Sequence, residues 1–108
     1  MLMNTYLGRL VYDVKVDTVG DAEKTVLNNR IAIPMGKDKA TFVDIVAWGK
    51  NAEFINSYFK KGNEILIQGY LVNKIGKKEE VEFNTVMLQV ERINFTYGNN
   101  KPVQQEIN

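Results

Sequence analysis

Phe42 and Trp48 fall on one face of a single strand, with Asp44 and Val46 between them, because residues two apart along a strand point the same way. Val43, Ile45 and Ala47 take the other face, so the strand has an aliphatic side for a core and two rings to spare. A ring left on a sheet surface stacks on flat π systems, an interaction worth roughly 1–3 kcal/mol for each unpaired base it receives. Cations flank this face: Lys37 and Lys39 lie in the preceding loop, PMGKDKA. Rings with ammonium groups spaced beside them supply what alternating bases and phosphates require. The competing reading makes Phe42 and Trp48 core aromatics. It is weakened by the aliphatic face the strand already has and by Asp44 in the aromatic row.

Composition narrows the chemistry. The 108 residues contain no His and no Cys, which removes thiolate zinc sites, disulfides, Ser-His and Cys-His nucleophile pairs, and the usual imidazole acid or base. An enzyme would need a carboxylate pair, and Glu79, Glu80 and Glu82 read instead as a solvated hairpin arm. No catalytic residue, metal or cofactor is expected. A net charge of +1 gives no global basic field, so polyanion binding has to come from a local groove. No apolar run approaches the roughly 20 residues of a membrane span, and MLMNTYLGRL lacks the pattern of a secretory signal. The expectation is a cytoplasmic protein of one domain, with no membrane partner.

The elements that must position these residues follow in order. Met1 to Val11 reads as a strand interrupted by Gly8, a bulge or barrel bend, which leaves Arg9 either in a groove or on the surface. Val14 to Val16 extends it, and Asp17 to Lys24 is a loop. Thr25 to Ile33 is the second strand, with Leu27, Ile31 and Ile33 on one face, Asn28 and Arg30 on the other, and Asn29 spoiling the apolar side. The aromatic strand is third. A short helix within Asn51 to Lys61 follows, with Ala52, Ile55 and Phe59 at helical spacing and Gly62 as its stop. Ile65 to Leu71 is the fourth strand, with Gly69 marking a close backbone approach or a bend. A hairpin turn centred on Ile75 to Lys78 leads to a long fifth strand from Val81 to about Phe95. Five strands with one helix between the third and fourth predict an all-β OB-fold, a five-stranded Greek-key barrel. The domain is expected over residues 1–97, with a short flexible tail over 98–108.

The ordered set of these pieces resembles the bacterial-type single-stranded DNA-binding protein family over about Met3 to Phe95. It is carried by Leu7-Gly8-Arg9-Leu10 with Asp13, the strand Val26 to Ala32, and Phe42 to Trp48 with Gly49-Lys50. Tyr58 to Gly62 and Ile65 to Leu71 complete it. The resemblance implies an OB-fold that wraps single-stranded DNA without sequence preference in replication, recombination and repair. It implies base stacking at Phe42 and Trp48, phosphate contacts at Lys50 and Lys61, and groove positions at Arg9 and Lys74. Asp44 departs from a position that is commonly basic. The loop after Ile33 is too short for a further stacking Trp, and the Ile75 to Lys78 turn is also short and lacks an aromatic, so Tyr70 or Phe83 would serve instead. The acidic recruiting tip typical of the family does not appear in Gln104 to Asn108, which puts recruitment of replication or repair proteins in doubt.

Three classes of function stand at this point: a single-stranded DNA binder, an OB-fold subunit of the tail-less primosomal type acting mainly through protein contacts, and an enzyme. A homo-oligomer is expected through the nearly uncharged first strand, Met1 to Leu7. The family resemblance makes it a tetramer, and a dimer is the alternative.

Overall fold

The computed structural model describes residues 2–96, the side chains of Lys77, Lys78 and Phe83 excepted. The expected tail over 98–108 lies outside the described residues. Six strands and one helix follow in order: β1 (Asn4–Leu10), β2 (Asp17–Val19), β3 (Lys24–Pro34), β4 (Ala40–Trp48), α1 (Gly49–Tyr58), β5 (Glu64–Lys78) and β6 (Val81–Asn94). The sheet runs β1-β5-β6-β4-β3-β2, and a second pairing of β1 with β3 closes five of these strands into a ring. All pairs are antiparallel except β4 with β6. This is the expected OB-fold, with β2 added outside the ring.

Closure depends on two glycines. β1 pairs with β5 from Asn4 to Arg9 and with β3 at Arg9 and Leu10, so the strand passes between neighbours where Gly8 stands. A Cβ on Gly8 would lie 2.9 Å from the carbonyl oxygen of Ala32. On β5 the register shifts between Gln68 and Gly69, and a Cβ on Gly69 would collide with the carbonyl oxygen of Gln89. Glycine at these positions lets two backbones approach more closely than any side chain permits.

The barrel interior is aliphatic. Leu10, Leu27, Ile31, Ile45, Ile65, Ile67 and Leu88 have no or almost no exposed surface. Helix α1 closes one end with Ala52 and Ile55, and Phe59, its C-cap, stacks on Phe95 of the following β6 exit at 5.3 Å between ring centres. Asn51 ties the helix to β6 by donating from Nδ2 to the carbonyls of Val90 and Glu91.

Four local expectations are corrected. Asp17 to Val19 is a strand rather than loop: it pairs with Lys24 to Val26 around a turn in which the Glu23 N–H donates to the Gly20 carbonyl. Val14 and Val16 do not extend β1; they pack on the core from irregular backbone. The helix begins at Gly49 and ends at Tyr58, so Gly62 is not its stop. That residue sits in a separate turn whose N–H donates to Leu10. The β5–β6 turn is not at Ile75 to Lys78. Both strands continue to the pair Lys78 and Val81, and the chain reverses at Glu79 and Glu80 with φ of 51° and 66°. Two successive positive φ values match the right-handed twist of a two-residue hairpin, which outweighed the pull of Gly76 on the sequence reading.

Candidate functional site

The pairing registers place one set of side chains on the outer wall of β3, β4, β6 and β5. Along β4 the set is Phe42, Asp44, Val46 and Trp48, opposite Ala32, Arg30, Asn28 and Val26 of β3. Val46 is also level with Gln89 of β6, which is level with Tyr70 of β5, and alternation adds Met87, Val72 and Lys74. Phe42 is 58% exposed and Trp48 43%, whereas Ile45 and Ala47 beneath them are fully buried. The two rings are therefore surface rings, separated along the strand by about 20 Å at the usual rise per residue.

Between the rings the wall is neither flat nor uniformly polar. Val26, Val46 and Met87 form a small buried cluster with Val72 packed on it, a patch outside the main core. Beside it, the Arg30 Nε donates to Asp44 Oδ1 at 2.7 Å. That hydrogen bond, with the Asp44 charge behind it, raises the Arg30 pKa above its ordinary value. The guanidinium also lies over the Tyr12 ring, 5.8 Å from its centre.

Tyr12 is held there by a buried asparagine. Asn29 Oδ1 accepts from the N–H groups of Tyr12 and Arg30, and its Nδ2 donates to the Tyr12 carbonyl. The residue that spoiled the apolar face of the strand is thus a clamp with its polar atoms satisfied, the condition under which a buried amide is tolerated. Replacing Asn29 by alanine is expected to cost about 1–3 kcal/mol, because Tyr12's N–H and carbonyl lose their partners. Chemical denaturation of the variant measures it, and a change below a few tenths would refute the clamp.

Two hollows flank the ion pair. One, of about 270 Å³, is lined by Tyr12, Asn28, Asn29, Arg30, Asp44, Ile45, Lys74 and Met87. The other, of about 320 Å³, is lined by Tyr6, Arg30, Phe42, Val43, Asp44, Leu71 and Val86. A third, of about 430 Å³, lies between Trp48 and the β2–β3 turn, with Lys24 on its rim.

The expected cations divide by position. Lys37 and Lys39 are exposed in the turn at the Phe42 end of β4, Lys50 is exposed on the first turn of α1 beside Trp48, and Lys74 lines the central hollow. Lys61 is exposed in the turn after α1. Arg9 is directed to that same turn, with Nη1 donating to the Gly62 carbonyl and Nη2 4.0 Å from Glu64. Neither lines the three hollows. Tyr70 is half-buried, its hydroxyl accepting from Gln89 Nε2, and Phe83 lies outside the described side chains. Arg30, Tyr12 and Lys24 were not among the candidates. Alternation alone put Arg30 on the right face, but only the register with Asp44 reveals its neighbour, and Tyr12 arrives from irregular backbone with no periodic signal.

The sequence pattern of the Single-strand binding protein family matches residues 3–96. Among curated proteins, a "Single-stranded DNA-binding protein" of Fusobacterium nucleatum is 38% identical over 56 residues, covering 52% of this chain and 36% of the relative. "Single-stranded DNA-binding protein 1" of Streptococcus pyogenes is 36% identical over 63 residues, 57% of this chain and 48% of the relative. "Single-stranded DNA-binding protein 2" of Nostoc sp. is 38% identical over 48 residues, 44% and 38% respectively. The matches thus span less than half the length of each of these relatives.

Proposed function

Since this chain belongs to the single-strand binding protein family, we propose that its outer β3–β4–β6–β5 wall binds single-stranded DNA without sequence preference, as a binding protein and not a catalyst. The observation that carries the reading is the pair of exposed rings on β4, with Ile45 and Ala47 fully buried on the opposite face and cations at both ends and in the middle of the run. Bases stack on Phe42 and Trp48. Lys37 and Lys39, Arg30 and Lys74, and Lys50 and Lys24 lie in turn along the path of the phosphates. Arg9 and Lys61 extend it, and Tyr70 and Phe83 are secondary stacking candidates. The processes served are replication, recombination and repair, in the cytoplasm. Among the described residues no helix is long and apolar enough to cross a membrane.

Single-stranded DNA is expected to bind well ahead of duplex, because only unpaired bases offer a face to a stacking ring. Its log affinity should fall linearly with log salt. Parallel titrations with single-stranded DNA, single-stranded RNA and duplex at several salt concentrations test this. Equal affinity for duplex would point to a general basic surface, and no binding to any of them would favour a protein-interaction subunit.

The proposed assembly is a homo-oligomer built on β1. From Asn4 to Gly8 this strand pairs with β5 on one side only, and its pairing with β3 begins at Arg9, so a length of edge is open. Leu7, 44% exposed, lies on it without charge to discourage pairing. A second copy adding antiparallel to this edge gives a two-fold dimer, and two dimers a tetramer. Light scattering at micromolar concentration should give a multiple of the chain mass, reduced by Thr5→Pro. A monomeric mass for the unmodified protein would end the proposal.

A further inference from the structure

Resting on the single-stranded DNA reading, we infer that Asp44 is an affinity-limiting residue: a built-in counter-ion that occupies Arg30, the arginine between the two central hollows, until a DNA phosphate displaces it. Arg30 and Asp44 are the two residues shared by both hollows, so their ion pair forms the ridge a strand must cross between the Phe42 bay and the Lys74 bay. The guanidinium has one edge taken by Asp44 and one face by Tyr12. Both partners of the pair are about one-third exposed, 39% and 32%, so phosphate oxygens reach them and the pair is cheap to open.

The physical consequence concerns salt. Binding of a polyanion is driven largely by the release of small ions, at a slope of about 0.7 in log affinity against log salt for each single-strand phosphate neutralised. The Arg30–Asp44 pair is net neutral, so a phosphate that engages it meets no net positive charge and sheds little of the strand's condensed counter-ion atmosphere. Arg30 therefore contributes less than a full charge to the salt slope. The centre of the wall is consequently a weak link between stronger ends, where Lys37, Lys39 and Lys50 are exposed.

The test is a cycle of Asp44→Asn, Arg30→Ala and the double variant, titrated with oligo-dT from low to physiological salt. Asparagine keeps the shape and the acceptor oxygen, and thermal melts check folding. Asp44→Ser, which also shortens the reach to Nε, gives a second route to the same charge change. Asp44→Asn is expected to tighten binding roughly three- to tenfold at low salt, as for one cation freed to pair with a phosphate. It should also steepen the slope by about 0.7. Both gains should vanish in the double variant, whereas Arg30→Ala alone should shift the slope by much less than 0.7. Unchanged or weaker binding by folded Asp44→Asn and Asp44→Ser overturns the inference, as does a gain that survives without Arg30. Absence of binding in the natural protein overturns the parent reading instead, and shows before any variant is compared.

Discussion

Alanine at both Phe42 and Trp48 will lower affinity for single-stranded DNA by about 2–6 kcal/mol, the sum of two stacked bases at roughly 1–3 kcal/mol each. Near-additivity is expected because the rings are about 20 Å apart on the strand and share no partner. Each single substitution should carry about half the loss, and neither should unfold the domain. Phe42 is more than half exposed. Trp48 stands at the helix N-cap but makes no side-chain hydrogen bond there, so truncating it removes no cap. Trp48 is also the only tryptophan, so quenching of intrinsic fluorescence by oligo-dT reports its stacking alone. If either variant melts the protein while affinity per folded molecule persists, the rings are structural.

Gly69→Ala should be the most damaging small substitution in the barrel, costing about 3 kcal/mol or more. The added methyl meets the carbonyl oxygen of Gln89, a backbone atom held in the β5–β6 ladder, so relief requires two strands to separate. A fall in Tm of more than about 10 °C follows for a domain of this size. Gly8→Ala should cost less, since its nearest obstacle, the Ala32 carbonyl oxygen, is 2.9 Å away and needs a smaller shift. A Gly69→Ala variant melting within about 2 °C of the natural protein, or above Gly8→Ala, would show that the bulge accommodates a side chain.

What the chain determined by itself is whatever depends on local alternation and composition. The period of two in Phe42 to Trp48 separates rings from aliphatics before any partner strand is known: both rings are exposed and Ile45 and Ala47 fully buried, although Val43 is half-buried and Val46, in the aromatic row, is buried. The absence of His and Cys removes whole classes of chemistry, and the order of strands and helix leads to the OB-fold that the ring of β1, β5, β6, β4 and β3 displays. Gly8 was legible as a bulge or barrel bend and Gly69 as a close approach or bend, because few other reasons place glycine within a strand.

Boundaries were less legible, since they depend on competition between turns. The Ile75 to Lys78 stretch offers a glycine, but the ladder gains four further pairs by running on to Lys78 and Val81, and two glutamates accept positive φ to allow it. β2 was missed for a similar reason: three residues carry too little pattern to reveal a strand until β3 supplies its partner. The centre of the site belonged wholly to the tertiary structure. Arg30 and Asp44 are 14 residues apart, and Asn29 and Tyr12 are 17 apart. Sequence alternation assigns each to a face, but only register and barrel closure decide which residues meet. Asp44, a departure when read alone, becomes the partner of the arginine opposite it because pairing across the sheet, not position along the chain, sets its electrostatic environment.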